Sequence, residues 1–255
     1  MQSVPVYGFW WFGSNVRFLQ DAREGQNIHG RGYMLANIES LFKRLNDLEL
    51  RVTSRAAGPL RKIEAELKEA PTDAKLTSAQ ANKLSKAVSD LRQTMEAELK
   101  GISAYTVSPK RLDIEKLISD VSSLLAPGAF ASLTETAQYD LSEAAKCIAF
   151  ERPTASAFHL MRATEEMLRR YYCHFVRRDR MSPMLWHSMV VALQKHRRAK
   201  TNDVLHRNLD NIRLSFRNPT QHPDKVYDIQ EVQDLFGLCI DVINRMQKAI
   251  AADGV

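Results

Sequence analysis

Apolar residues recur every three or four positions along most of this chain, and that spacing constrains the fold more than any other feature. Between Tyr33 and Ala70 they fall at Ile38, Leu41, Leu45, Leu48, Val52, Leu60, Ile63 and Leu67. A helix turns by about 100° per residue, so these steps gather on one face, whereas a half-buried strand alternates every second residue. No such alternation stands out. Gly and Pro, at 10 and 9 of 255 residues, are too scarce for many short strands joined by turns. The chain is therefore expected to be all-α. With 44% apolar residues it can build a real core in one large domain or two small ones.

The first stripe passes through Gly58-Pro59, where a kink is expected because proline removes a helical hydrogen bond. "APTDAKLTSAQ" reads as a turn and a capped helix start, and a second stripe follows at Leu76, Leu84, Val88, Leu91, Met95 and Leu99. Two long helices joined by a short turn predict an antiparallel hairpin. After "AYTVSPKRLD" and a shorter helix over Leu112–Leu125 the composition changes, with six of the seven histidines beyond Ala131. A boundary is expected near 105–130. This gives an aromatic N-terminal segment 1–30, a hairpin region 31–128 suited to dimerisation, docking or regulation, and a helical domain 129–255. The last is predicted to hold helices over Leu133–Phe150, the "ASAFHLMRATEEMLRRYYCHFV" stretch after Pro153, Pro183–Lys195, Asn202–Phe216 and Ile229–Ile250. The fourth of these should stop at Asn218, because a residue before proline is pushed out of the helical region.

Charge and cysteine usage narrow the functional classes. No run approaches the roughly 18 apolar residues of a membrane span. The opening "MQSVPVYGFWWFGSNVRF" lacks a basic start and is broken by Pro5, Gly8 and Gly13, so it is a poor signal peptide. Trp10 and Trp11 are expected to pack against the body or a partner rather than a membrane. The cysteines, Cys147, Cys173 and Cys239, are odd in number and far apart, without zinc spacing. Buried free thiols in a reducing, cytoplasmic setting are expected, with no metal and no cofactor. The net charge of +6 is compatible with a nucleic-acid partner. From Arg162 to Lys200 there are ten Arg/Lys against three Asp/Glu, which also suits a solvated basic face.

One stretch could carry chemistry, "SFRNPTQHPDK" at 215–225. Arg217 offers a permanent charge and a planar fork that fits a phosphate, and His222 can exchange a proton near neutral pH. RNA cleavage needs a base for the 2′-hydroxyl, an acid for the leaving 5′-oxygen and positive charge at the phosphorane. One Arg and one His supply half of that set. Two copies facing each other across a two-fold axis would supply all of it without a metal.

With Asn218 after the arginine and His222 completing an R-x4-H spacing, the chain resembles the HEPN superfamily, all-helical domains whose ribonuclease members carry an R-x4–6-H motif with a polar residue directly after the Arg. The earlier "HLMRATE", with His159, Arg162 and Glu165 at i, i+3 and i+6, resembles a face of the long helix of bacterial members. The resemblance covers roughly 135–250. It implies that His222 transfers protons, that Arg217 holds the scissile phosphate, and that Asn218 orients the histidine or bonds the substrate. Glu165 would pair with Arg217 or Arg162, His159 and Arg162 would support the site, and Arg169, Arg170 and Arg213 would bind RNA. The products would be a 2′,3′-cyclic phosphate and a 5′-hydroxyl. Such chains commonly act as homodimeric toxins or antiviral abortive-infection effectors, held in check by a regulatory partner or antitoxin. Against this stands a non-catalytic HEPN-like scaffold that binds a protein or nucleotide, or an unrelated helical adaptor working through its hairpin. In those cases Arg217 would serve its helix C-terminus, His222 a loop carbonyl and Arg162–Glu165 an intrahelical ion pair.

Overall fold

The computed structural model describes residues 6–176, 184–199 and 202–253. Among them every regular element is helical, and the one β-type pairing is an isolated antiparallel bridge between Asn27 and Lys75. No helix among these residues is long and apolar enough to cross a membrane. The chain forms two compact units, 1–105 and 106–255, each with its own apolar core.

The first unit contains α1 (Val6–Gln20), α2 (Met34–Asp47), α3 (Arg51–Ala56), α4 (Gly58–Lys68) and α5 (Ser78–Leu99). The expected long helix over 33–70 is three pieces. It breaks at Glu49, whose φ of 52° is a left-handed conformation, and again at Ala57, just before Pro59 takes an early position of α4. The start of α5 is the predicted cap: Thr77 and Gln80 form a reciprocal capping box. Part of the aromatic segment 1–30 packs into the first unit. Phe12, Val16 and Leu19 of α1 enter the same core as Ile38, Leu41, Leu60, Ile63, Leu84 and Val88, because a 15-residue helix with apolar groups all round must bury one side. Its other side leaves Tyr7 and Trp10 exposed.

The second unit begins at Thr106, at the early edge of the expected 105–130 window and ahead of residue 129, the expected start of the last domain. The reason is burial: Leu117 in α6 (Ile114–Ser119) and Val121 in the 3-10 turn Val121–Leu124 belong to the core that also holds Leu141, Leu160 and Ile243. The centre of this unit is α8 (Pro153–Val176), packed between α7 (Glu135–Ala149) and α12 (Ile229–Asp253). Pro153 occupies the first position of α8, where a missing N–H is harmless. Thr134 caps α7 by accepting the Ala137 N–H. Two further helices, α9 (Trp186–Lys195) and α10 (Asp203–Ile212), complete the bundle, tied by a Trp186 Nε1–H bond to the Leu209 carbonyl at 3.1 Å. The predicted start of α9 at Pro183 lies outside the described residues. Cys239 is fully buried and its thiol is pushed up to about 12 by burial, so it is unreactive packing material.

His206 of α10 is wholly buried near the Tyr171 ring, and neither of its ring nitrogens has a hydrogen-bond partner. Burial lowers its pKa below the ordinary 6.5. The folded chain thus keeps His206 neutral, while the unfolded chain takes up a proton as the pH falls through the ordinary value. The stability of the second unit is expected to fall on acidification from about pH 7 to about pH 5, and to fall less in His206→Leu, as read by urea titration at each pH.

Candidate functional site

The chain around Arg217 does not end its helix where proline rules predict. Beyond α10 the backbone widens into a π turn, Arg213–Arg217, closed by the Asn218 N–H bonding back to the Arg213 carbonyl. The helix then continues through a short α11 (Asn218–Thr220), with Asn218 itself in helical conformation at φ −65° and ψ −50°. The wide turn explains the exception. A proline within a regular helix drives its ring at the carbonyl four residues back and leaves that carbonyl unpaired, and an inserted residue shifts both. The Phe216 carbonyl, inside the wide turn, gathers two side-chain donors. It accepts from Thr220 Oγ1 at 2.7 Å and from the Tyr227 hydroxyl at 3.0 Å, and the Tyr227 and Phe216 rings stack with centroids 6.4 Å apart. Tyr227 is buried, and its backbone N–H donates to Thr154 Oγ1 at the start of α8.

Arg217 points at α8. Its Nη2 lies 3.5 Å from Oε2 of Glu165, whose other oxygen is paired with Arg169 at 2.9 Å. Glu165 and Thr154 are eleven residues apart on α8 and project within about 20° of each other. The segment from Arg217 to Tyr227 therefore begins and ends on one side of that helix. His222 lies in this segment, in the turn after α11, with an exposed ring. Its backbone N–H bonds to the Pro219 carbonyl at 2.9 Å, and its own carbonyl accepts from Lys225. Asn218 is half-buried between them in sequence. The arginine is thus turned toward a carboxylate while the histidine is presented to solvent.

The other residues named from the sequence divide into two groups. His159 and Arg162 do not pair with Glu165. Both meet Asp140 of α7, His159 through Nδ1 at 2.9 Å and Arg162 through Nε at 3.1 Å. The Asp140 carboxylate is 1% exposed, and a buried charge of that kind must be paired. Asp140, Arg162, Glu165 and Arg169 line one cleft of about 240 Å3 with Thr136 and Glu166. Arg213 is engaged elsewhere: its Nε bonds to Asp210 at 2.8 Å and its side chain is only 16% exposed, so little of its guanidinium is open to a phosphate. Arg170 is exposed but projects about 140° around α8 from Glu165, away from the Arg217 side.

Sequence reasoning missed Asp140. Its signal was present: an aspartate set into the apolar stripe Ala137, Leu141, Ala144 and Ile148, where a helix facing a core has no use for a charge. Comparison of the chain with protein-family models, curated proteins and solved structures finds no match.

Removing the Asp140 carboxylate strands the buried inner side of two polar partners. Asp140→Ala is expected to lower the stability of the folded chain by about 1–3 kcal/mol in urea titration, because partners left without their hydrogen bond pay the desolvation cost. Glu165→Ala, at the more open pair, should cost roughly 1 kcal/mol or less.

Proposed function

We propose that this protein is a metal-independent endoribonuclease whose proton-transfer residue is His222 and whose phosphate-holding residue is Arg217. The observation that carries this reading is the placement of Arg217: a guanidinium held by Glu165 at a π turn, with a solvent-facing histidine five residues on, in one segment that runs along α8. π turns interrupt helices at functional sites more often than elsewhere. A scaffold has no need of a fixed arginine beside an exposed histidine.

In the reaction the 2′-oxygen forms a bond to phosphorus as the bond from phosphorus to the 5′-oxygen breaks. The proton of the 2′-hydroxyl passes to a neutral histidine, and a protonated histidine gives a proton to the departing 5′-oxygen. This leaves a 2′,3′-cyclic phosphate and a 5′-hydroxyl. Arg217 offsets the charge that builds on the phosphoryl oxygens, with Asn218 orienting the substrate or the ring. A single chain offers one such histidine in this segment, so the second comes from a second copy in a homodimer. RNA is then the partner, the setting is the cytoplasm, and the role fits a toxin or antiviral effector under the control of a regulatory protein.

Total RNA incubated with the purified protein should be cleaved equally with and without EDTA. Arg217→Ala and His222→Ala should each lower the rate by roughly a hundredfold or more. Full cleavage by His222→Ala would remove that residue from the mechanism. A strictly monomeric mass in sedimentation, with activity retained, would remove the second copy. Binding of a protein or nucleotide with no RNA cleavage under any condition would favour the non-catalytic scaffold.

A further inference from the structure

Beside the Arg217–Glu165 pair, the exposed surface of α7 and α8 carries a group of side chains that the cleavage step does not use. Asp140 is buried, yet both side chains it holds reach solvent: Arg162 is 62% exposed and His159 25%. Arg162 spends its Nε on the carboxylate, which leaves the fork of its two Nη groups for an outside acceptor. His159 faces Asp140 with Nδ1, so Nε2 is the ring nitrogen left for a ligand. The Tyr139 ring meets the His159 ring edge-on, with centroids 6.3 Å apart at 76°, and Tyr139 is itself 59% exposed. One turn before Arg162 on the same helix, Phe158 is exposed as well.

We infer that Tyr139, His159 and Arg162, held in place by Asp140, form a subsite for a single-stranded nucleotide flanking the cleavage point, with a base stacked on Tyr139 and a backbone phosphate on Arg162. This rests on the ribonuclease reading of the Arg217 segment. Single-stranded RNA is bound by aromatic rings, which accept any base face, alternating with arginines that take the phosphates. Exposed Tyr139 and Phe158, with Arg162 paired to Asp140, supply both kinds of side chain. Arg162 and Glu165 line the same cleft, and Glu165 pairs with Arg217, so the subsite and the phosphate-holding arginine are joined by one continuous row of charged side chains. Glu165 is paired with Arg169 and Arg217, while Glu166, in the same cleft as Arg162, repels a phosphate there. A merely structural role for Asp140, as a satisfied buried carboxylate, accounts for neither exposed ring. The subsite is tolerant of sequence, because stacking and phosphate contacts do not read base edges.

The test is binding of a 2′-O-methyl single-stranded oligonucleotide, which cannot be cleaved, by fluorescence anisotropy of the full chain. Tyr139→Ala and Arg162→Ala should each weaken binding roughly tenfold. Arg162→Ala should also reduce the salt dependence of binding by about one phosphate contact. Both side chains are exposed, and circular dichroism should match the wild type. Sedimentation is run on the same samples. Unchanged affinity in both variants, or no binding by the wild type, overturns the subsite. Loss of self-association in Tyr139→Ala without loss of affinity also overturns it, and assigns the aromatic face to a second copy. Weakened binding in both variants together with no cleavage of natural RNA supports the subsite and overturns the ribonuclease reading instead.

Discussion

Burial of α8 on two sides is the constraint from which the second unit follows. Leu160, Met167, Leu168, Tyr171, Tyr172 and Phe175 are all essentially closed to solvent, packed against α7 and α12. A 24-residue helix gripped in this way is rigid along its length. It also has little surface left over. One line of α8, carrying Thr154, Phe158, Arg162, Glu165 and Arg169, is open or partly open to a neighbouring segment or to solvent, and the ion pairs of Arg162, Arg169 and Arg217 lie along it.

Asp140 and Glu165 divide that line. Each carboxylate binds two basic side chains, Asp140 taking His159 and Arg162, and Glu165 taking Arg169 and Arg217. The two differ in burial: Asp140 is enclosed, while Glu165 is 18% exposed. An enclosed ion pair fixes geometry, because the cost of an unpaired charge inside is high. A more open one is easily exchanged for a competing anion such as a phosphate. On this division Asp140 holds its partners in place, and Glu165 keeps Arg217 oriented until something stronger displaces it.

The π turn at Arg213–Arg217 shows where local rules lose to tertiary context. Pro219 argues for a helix that stops at Asn218. The chain instead absorbs one extra residue in this turn and carries on, and Thr220 and Tyr227 both donate to the Phe216 carbonyl inside it. Tyr227 sits eight residues beyond the proline, and its anchor, Thr154, is far away in sequence. No window around "SFRNPTQHPDK" contains that information.

The sequence by itself determined the helical class, most helix positions, the capped start of α5, Pro153 at a helix start, and the Arg217-Asn218…His222 spacing. These are properties of three- and four-residue periodicity and of side chains bonding their own neighbours, and both are written locally. Tertiary structure decided the rest. It placed the unit boundary at 105/106, since Leu117 of α6 is buried in the same core as Leu141 and Leu160 of the helices that follow. It drew α1 into the first core, sent Arg162 to Asp140 rather than Glu165, tied Arg213 to Asp210, and gave Arg217 to Glu165. A guanidinium within reach of several carboxylates pairs with the one that packing brings nearest and desolvates most, and that choice depends on how two helices cross, which no local spacing encodes.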